Sequence, residues 1–304
     1  MSSPAGSEID TSPGRYPLKR IAIFGPGLIG GSIALALRGR TPETSLTIWG
    51  RKPELLREIL RRDLADSVEM DPVLAVRGAD LVVICTPVGV MEEIAKTIAP
   101  HLEPHALVTD AGSVKNCVVT KLTPFLGNRF LGGHPMAGSE RSGLDAARQE
   151  LFAGAPCILT PTATTPPEVL ASITEFWAAL GASVTTMSPS EHDRLVARLS
   201  HLPHAIAFAL VNLVSSTLPE KASLLAGGSF RDGTRVAGSN PSLWAGILSE
   251  NREEVGSALR EMATLLTGMA HQLESGDSNS ILDFLTRAKE HRDQLPLPRP
   301  DEFL

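Results

Sequence analysis

His134 follows two glycines and precedes a proline, just past a short apolar run. A histidine so placed is held in a fixed loop above the crevice of an α/β sheet. An imidazole with an unperturbed pKa of about 6.5 accepts a proton near neutrality. Oxidising an alcohol by hydride transfer needs such an acceptor, because the hydroxyl must lose its proton as its carbon loses hydride. The same setting also suits a loop histidine that only caps a backbone carbonyl. Ser113, with Lys115 beyond it, ends the preceding apolar run, where either side chain could hydrogen-bond a substrate or cofactor. For Ser113 a helix N-cap is an equal alternative. Further along come His192, His201 and His204, then Arg231, Asp232 and Arg235 in a Gly-rich turn over residues 227–235. A guanidinium offers a planar fork of donors, so these two cations suit a carboxylate. His201 and His204 share a helix face at a spacing that also suits a metal. No third ligand with sensible spacing accompanies them, and no metal site is expected.

These side chains need a frame, and residues 21–32, IAIFGPGLIGGS, supply its first part. An apolar run reads as a buried parallel strand, and Gly25, Gly27 and Gly30 follow in G-x-G-x-x-G order, with Leu28 and Ile29 inside the turn. This is the strand–turn–helix that binds a dinucleotide. The first glycine allows the turn, the second lets backbone approach a pyrophosphate, and the third lets helix pack on strand. The helix N-terminus then offers N–H groups to phosphate. A second strand is expected over 46–49. The acidic residue that would bind the ribose hydroxyl of NAD is absent after it, and Gly50, Arg51 and Lys52 stand there instead. Arg51 suits a 2′-phosphate, which favours NADP over NAD. The run over 79–85 reads as a strand buried on both faces, and Thr86 and Pro87 then carry the chain over the ligand crevice.

Strands and helices alternate from 20 to 186, predicting an open, doubly wound, mostly parallel sheet of Rossmann type. From 188 onward only helical periodicity is found, predicting an all-α C-terminal half. A helix is expected to start near Ser190 and run through Pro203 with a kink. The stretch 205–218 is apolar on more than one face and must be buried. That predicts a homodimer in which the helical halves interlock. The expected domains are a disordered tail over 1–18, a dinucleotide-binding domain over 19–187, a helical substrate and dimerisation domain over 188–295, and an extended tail over 296–304.

Bulk properties narrow the class. The 304 residues carry a net charge of −6, and no basic run points to nucleic acid. Three cysteines without C-x-x-C spacing argue against a disulfide framework and fit the cytoplasm. No stretch reads as a membrane span or a signal peptide.

Taken together, GPGLIGGS, DAGSVK, GGHPMAGSERSG, LSHLPHAIAFAL and GGSFRDGTRVAGSNPSLW resemble the prephenate and arogenate dehydrogenases of tyrosine biosynthesis, over roughly residues 19–290. The first motif is generic to nicotinamide enzymes, whereas the last three, in this order, are specific. The resemblance implies oxidative decarboxylation of a cyclohexadienyl substrate with hydride transfer to NAD(P), driven by aromatisation. It implies that His134 accepts the hydroxyl proton and that Ser113 hydrogen-bonds both the hydroxyl and His134. Arg235 would bind the side-chain carboxylate, His204 would seat the substrate, and His192 would be a further active-site histidine. Trp244 would line the pocket across a dimer interface. Ser139 and Glu140 fall in the loop that discriminates substrates, where Glu140 suits either the amino group of arogenate or an ion pair with Arg141. Prephenate is the favoured substrate.

The chain has no room for a chorismate mutase module before residue 20 or a regulatory ACT module after about 295, so inhibition by tyrosine would act at the active site. A β-hydroxyacid dehydrogenase is a rival class, but it needs a catalytic lysine that the helix over 190–218 lacks. A non-catalytic nicotinamide sensor would have lost His134 or Arg235, and both are present.

Overall fold

The computed structural model describes residues 18–139, 141–219 and 225–295. Glu140 and most of the two expected tails lie outside the described residues. Two compact units divide after Arg252.

The first unit is built on eight strands: β1 (Arg20–Phe24), β2 (Ser45–Trp49), β3 (Ser67–Glu69), β4 (Leu81–Ile84), β5 (Leu107–Asp110), β6 (Phe130–Pro135), β7 (Pro156–Thr160) and β8 (Ser183–Thr186). Its helices are α1 (Leu28–Arg40), α2 (Pro53–Arg61), α3 (Pro72–Ala75), α4 (Val88–Ile98), α5 (Asn116–Leu126), α6 (Pro167–Ala179), α7 (Pro189–Val196), α8 (Leu202–Thr217), α9 (Gly228–Thr234) and α10 (Pro241–Glu250). The strands form one sheet in the order β3-β2-β1-β4-β5-β6-β7-β8. Every pairing is parallel except β6 with β7, which is antiparallel and sets His134 opposite Ile158. The predicted doubly wound sheet is therefore present, extended at one edge.

Continuous apolar strands such as Leu-Val-Val-Ile in β4 are buried throughout. They must be, because helices cover both faces of the sheet. One apolar layer joins α1, α2 and α6 to one face, and a second joins α4, α5 and α10 to the other. The order reverses between β1 and β4, so the turns that leave these neighbouring strands, Gly25–Gly27 and Thr86–Pro87, flank the crevice where such sheets bind ligands.

The expected helix through Pro203 is present, and a π turn lies just ahead of the proline. The helix begins at Pro189, capped by the Ser188 hydroxyl accepting from the Glu191 amide at 3.2 Å. It then widens into a π turn over Ala197–His201 and continues as α8. Pro203 has no N–H to donate and its ring crowds the preceding turn, and a wider turn ahead of it absorbs both faults. Because the helix is not broken, 189–217 forms one stretch long and apolar enough, at mean hydropathy 1.2, to cross a membrane by length and composition. This corrects the expectation that no segment reaches that length. The same stretch buries His192, Asp193 and His201 beside the sheet.

The second unit contains most of α11 (Arg252–Glu274) and α12 (Ser278–Gln294). They are joined through Gly276 at φ +72°. Asp277 caps α12 by accepting from the Ser280 amide at 3.0 Å.

Candidate active site

The crevice is lined first by the glycine turn. Gly25 has φ +102°, and a Cβ there would lie 2.9 Å from the Cys85 carbonyl oxygen. A Cβ on Gly30 would lie 2.2 Å from the Gly25 carbonyl oxygen, so α1 seats on β1 only with glycine at that position. At Gly27 a Cβ would meet nothing within 4 Å. The space above that residue is open, as a pyrophosphate over the N-terminus of α1 requires. Leu28 and Ile29 open α1 beside it. Across the crevice the Thr86 hydroxyl is shielded from solvent yet has no hydrogen-bond partner among the described residues. An open helix N-terminus facing an unpaired hydroxyl fits a dinucleotide. Arg51 is exposed just past the end of β2.

The chemistry-bearing groups gather at the ends of β5 and β6. Lys115 and Asp110 are fully buried and form an ion pair. The Lys115 ammonium also donates to the Gly133 carbonyl at 2.7 Å, and Asp110 accepts from the Gly133 amide at 3.1 Å. The pair thus brackets the peptide that precedes His134. A Cβ on Gly133 would lie 2.9 Å from the Asp110 backbone oxygen, so this close bracketing depends on glycine. Removing one partner of such a pair leaves an uncompensated buried charge, at a cost of about 3–5 kcal/mol.

His134 Nδ1 lies 2.8 Å from His192 Nε2, and His192 Nδ1 lies 2.7 Å from Asp193 Oδ1. Asp193 also accepts from the Lys115 amide at 2.7 Å and the Asn116 amide at 2.9 Å. It therefore caps α5 from 77 residues away in sequence, and Ser113 is not the cap. Ser113 sits half-buried in the loop between β5 and α5. Asn251 donates to the Asp193 backbone oxygen at 2.9 Å and lies 3.2 Å from His201 Nδ1.

Burial is the main cause of the depressed pKa values here. It pushes His134 well below the ordinary imidazole value, with His192, Lys115 and His201 acting in the same direction. It also lowers His192, against the opposing pull of Asp193, and takes His201 down to about 4. His134 is thus neutral at physiological pH and able to take a proton.

The π turn is what brings His192 and His201 together. Nine residues apart, they would face about 180° from each other on a regular helix. One extra residue in the turn reduces that to roughly 80°.

His204 stacks on Trp244 with ring centroids 3.6 Å apart, and its Nδ1 donates to the Ser200 carbonyl at 2.9 Å. Burial lowers its pKa, and Arg235 lies close enough to lower it further. His204, Trp244 and Arg235 therefore share one neighbourhood, with Trp244 buried against the chain's own α8. Ser139 accepts from the Arg141 amide at 3.0 Å, and Glu140 lies outside the described residues. Sequence reasoning missed Asp110, Asp193 and Asn251. Their partners lie far away in sequence, and only the direct adjacency of His192 and Asp193 offered a local signal. Among the described residues no group of three or more His, Cys, Asp or Glu is arranged to hold a metal.

A dinucleotide cradle at the switch point of a parallel sheet, beside a buried neutral histidine, defines a nicotinamide-dependent dehydrogenase. Residues 33–186 match the nucleotide-binding domain of prephenate dehydrogenase and residues 188–287 match its dimerization domain. The chain belongs to the prephenate dehydrogenase family. It is 38% identical over 279 residues to the cyclohexadienyl dehydrogenase of Zymomonas mobilis, covering 90% of this chain and 95% of that one. Among solved structures it is similar to Aquifex aeolicus prephenate dehydrogenase in complex with hydroxyphenyl propionate and NAD+, at 33% identity and TM-score 0.86, covering 91% of this chain and 98% of that one. It is also similar to Synechocystis arogenate dehydrogenase, at 31% identity and TM-score 0.78, covering 90% and 99%.

Proposed function

We propose that the protein converts prephenate to 4-hydroxyphenylpyruvate and CO2 in tyrosine biosynthesis, with His134 as general base. The observation that carries this reading is the buried His134, neutral and hydrogen-bonded through Nδ1 to His192, near the end of β6. When bound, the nicotinamide supplies the hydride acceptor. His134 takes the proton of the ring hydroxyl as its carbon is oxidised, with Ser113 orienting that hydroxyl. The bond to the ring carboxylate then breaks, and its electron pair passes through the ring to the new carbonyl oxygen. His134 then returns its proton to the phenolate so formed. Arg235 grips the side-chain carboxylate, while His204 and Trp244 seat the ring. Ser139 and Glu140 belong to the loop that discriminates between substrates.

Three further readings accompany this one. The cofactor is NADP, supported by Arg51 and the absence of a carboxylate after β2. The functional halves are 19–187 and 188–295, and the second pairs with a second copy of the chain. Leu213, Leu265, Leu266, Leu273, Leu282 and Leu285, all exposed on the single chain, supply apolar area for that pairing. The enzyme works in the cytoplasm, where its three free cysteines stay reduced.

Arogenate is the second substrate reading, favoured by the likeness to the Synechocystis enzyme. Following reduced nicotinamide with prephenate or arogenate against NAD or NADP tests all of these choices. Turnover in the prephenate–NADP pairing is expected to be fastest. Silence in all four pairings, from protein that binds cofactor, would overturn the assignment.

A further inference from the structure

Asp193 reaches the reacting atoms only through other groups, yet its hydrogen bonds admit a single proton arrangement. We propose that Asp193 is a positioning residue that sets the tautomer of His192, and through it that of His134, leaving the His134 Nε2 lone pair to meet the substrate hydroxyl. This inference rests on the general-base reading above and adds what keeps the base in its working form.

An ionised carboxylate can only accept. Burial acts to raise the Asp193 pKa, but hydrogen bonds from His192 and from the Lys115 and Asn116 amides hold the carboxyl below the ordinary range. His192 must therefore carry its proton on Nδ1, which faces Asp193 Oδ1 at 2.7 Å. A neutral His192 then has a bare Nε2, and the group 2.8 Å from it is His134 Nδ1, which must be the donor. Neutral His134 has no second proton, so its Nε2 is the base. The opposite tautomer of His192 would turn its Nδ1 lone pair on a carboxylate and its Nε2–H on His134, forcing the His134 proton onto the nitrogen that has to receive one. A buried carboxylate also stabilises the imidazolium that forms during turnover. The other ionisable groups facing this chain are Lys115, Asp110, His201 and Cys157. It is Asp193 whose carboxylate meets a His192 ring nitrogen within hydrogen-bond distance.

Asp193 also caps α5, so loss of activity in a variant would not by itself separate positioning from folding. The first test is therefore made on the unmodified full chain. Histidine-selective 15N NMR, above the imidazole pKa values and assigned with His134→Asn and His192→Asn, reads which nitrogen holds each proton. Protons on Nδ1 of both residues are expected, and a proton on Nε2 of His134 would overturn the proposal. The second test is Asp193→Ala. Its kcat should fall by a factor on the order of 10²–10⁴, with the KM for substrate within about threefold, cofactor affinity unchanged and the single tautomer lost. Turnover within about twofold of the unmodified protein would overturn it. If Asp193→Ala fails to fold, the NMR result alone decides. If the tautomers are as expected but none of the four substrate and cofactor pairings turns over, the substrate assignment fails while the tautomer relay stands.

Discussion

Replacing His201 with glutamine removes a proton-binding site that the folded chain holds neutral. The imidazole is 1% exposed, and burial takes its pKa from 6.5 to about 4. The nearby Asp193 opposes that shift, while His192 and His204 add to it. Between those two values the unfolded chain binds a proton that the native chain refuses, so native stability falls as pH falls through that window. The full shift corresponds to about 3 kcal/mol, nearly all of it lost below pH 4. At pH 5 the expected loss is about 2 kcal/mol, and at pH 7.5 it is near zero. Urea unfolding of both proteins at pH 7.5 and pH 5, at one fixed protein concentration, isolates this contribution. Ionisable groups remote from His201 contribute equally in the two proteins and drop out of the comparison. The variant will differ in stability at pH 7.5 for packing reasons, so only the change in that difference matters. The unmodified protein should lose about 2 kcal/mol more than the variant on going to pH 5. Parallel losses, within about 0.5 kcal/mol, would show that His201 is not held neutral by burial and would refute the reasoning.

Gly27→Ala and Gly30→Ala should part company. A Cβ on Gly27 meets nothing within 4 Å, so that variant should keep its stability within about 1 kcal/mol and lose cofactor affinity in a fluorescence titration. A Cβ on Gly30 strikes backbone at 2.2 Å, and unfolding curves should show a loss of about 1–3 kcal/mol or more. Arg235→Ala should raise the KM for prephenate by roughly 10–100-fold, the worth of a charged hydrogen bond, with a smaller change in kcat. Arg51→Asp should turn the coenzyme preference toward NAD, read as the ratio of kcat/KM for the two cofactors.

The sheet was legible because parallel strands buried on both faces write unbroken apolar runs, and the LVVI of β4 could hardly be anything else. The crevice was legible because three glycines at fixed spacing answer a local demand of turn and close approach. His134 stood out through its glycines and proline. What escaped was long-range. Asp193 caps α5 from a helix on the far side of the chain, and Asp110 with Lys115 brackets Gly133 across two strands. Neither pairing leaves a periodic trace. Helix α5 is hard to read locally, because β-branched Val118 and Val119 near its start and Pro124 inside it speak against helix, and packing overrides them. The π turn ahead of Pro203 leaves no mark of its own, since sequence shows the obstacle but not how the backbone yields to it.

The central claim is that His134 accepts the substrate proton, and the most direct test is His134→Asn assayed with prephenate at saturating cofactor. The account predicts that kcat falls by a factor on the order of 10²–10⁴, while cofactor affinity and the KM for prephenate change little. A variant that keeps most of its turnover would contradict it, whatever the substrate and cofactor prove to be.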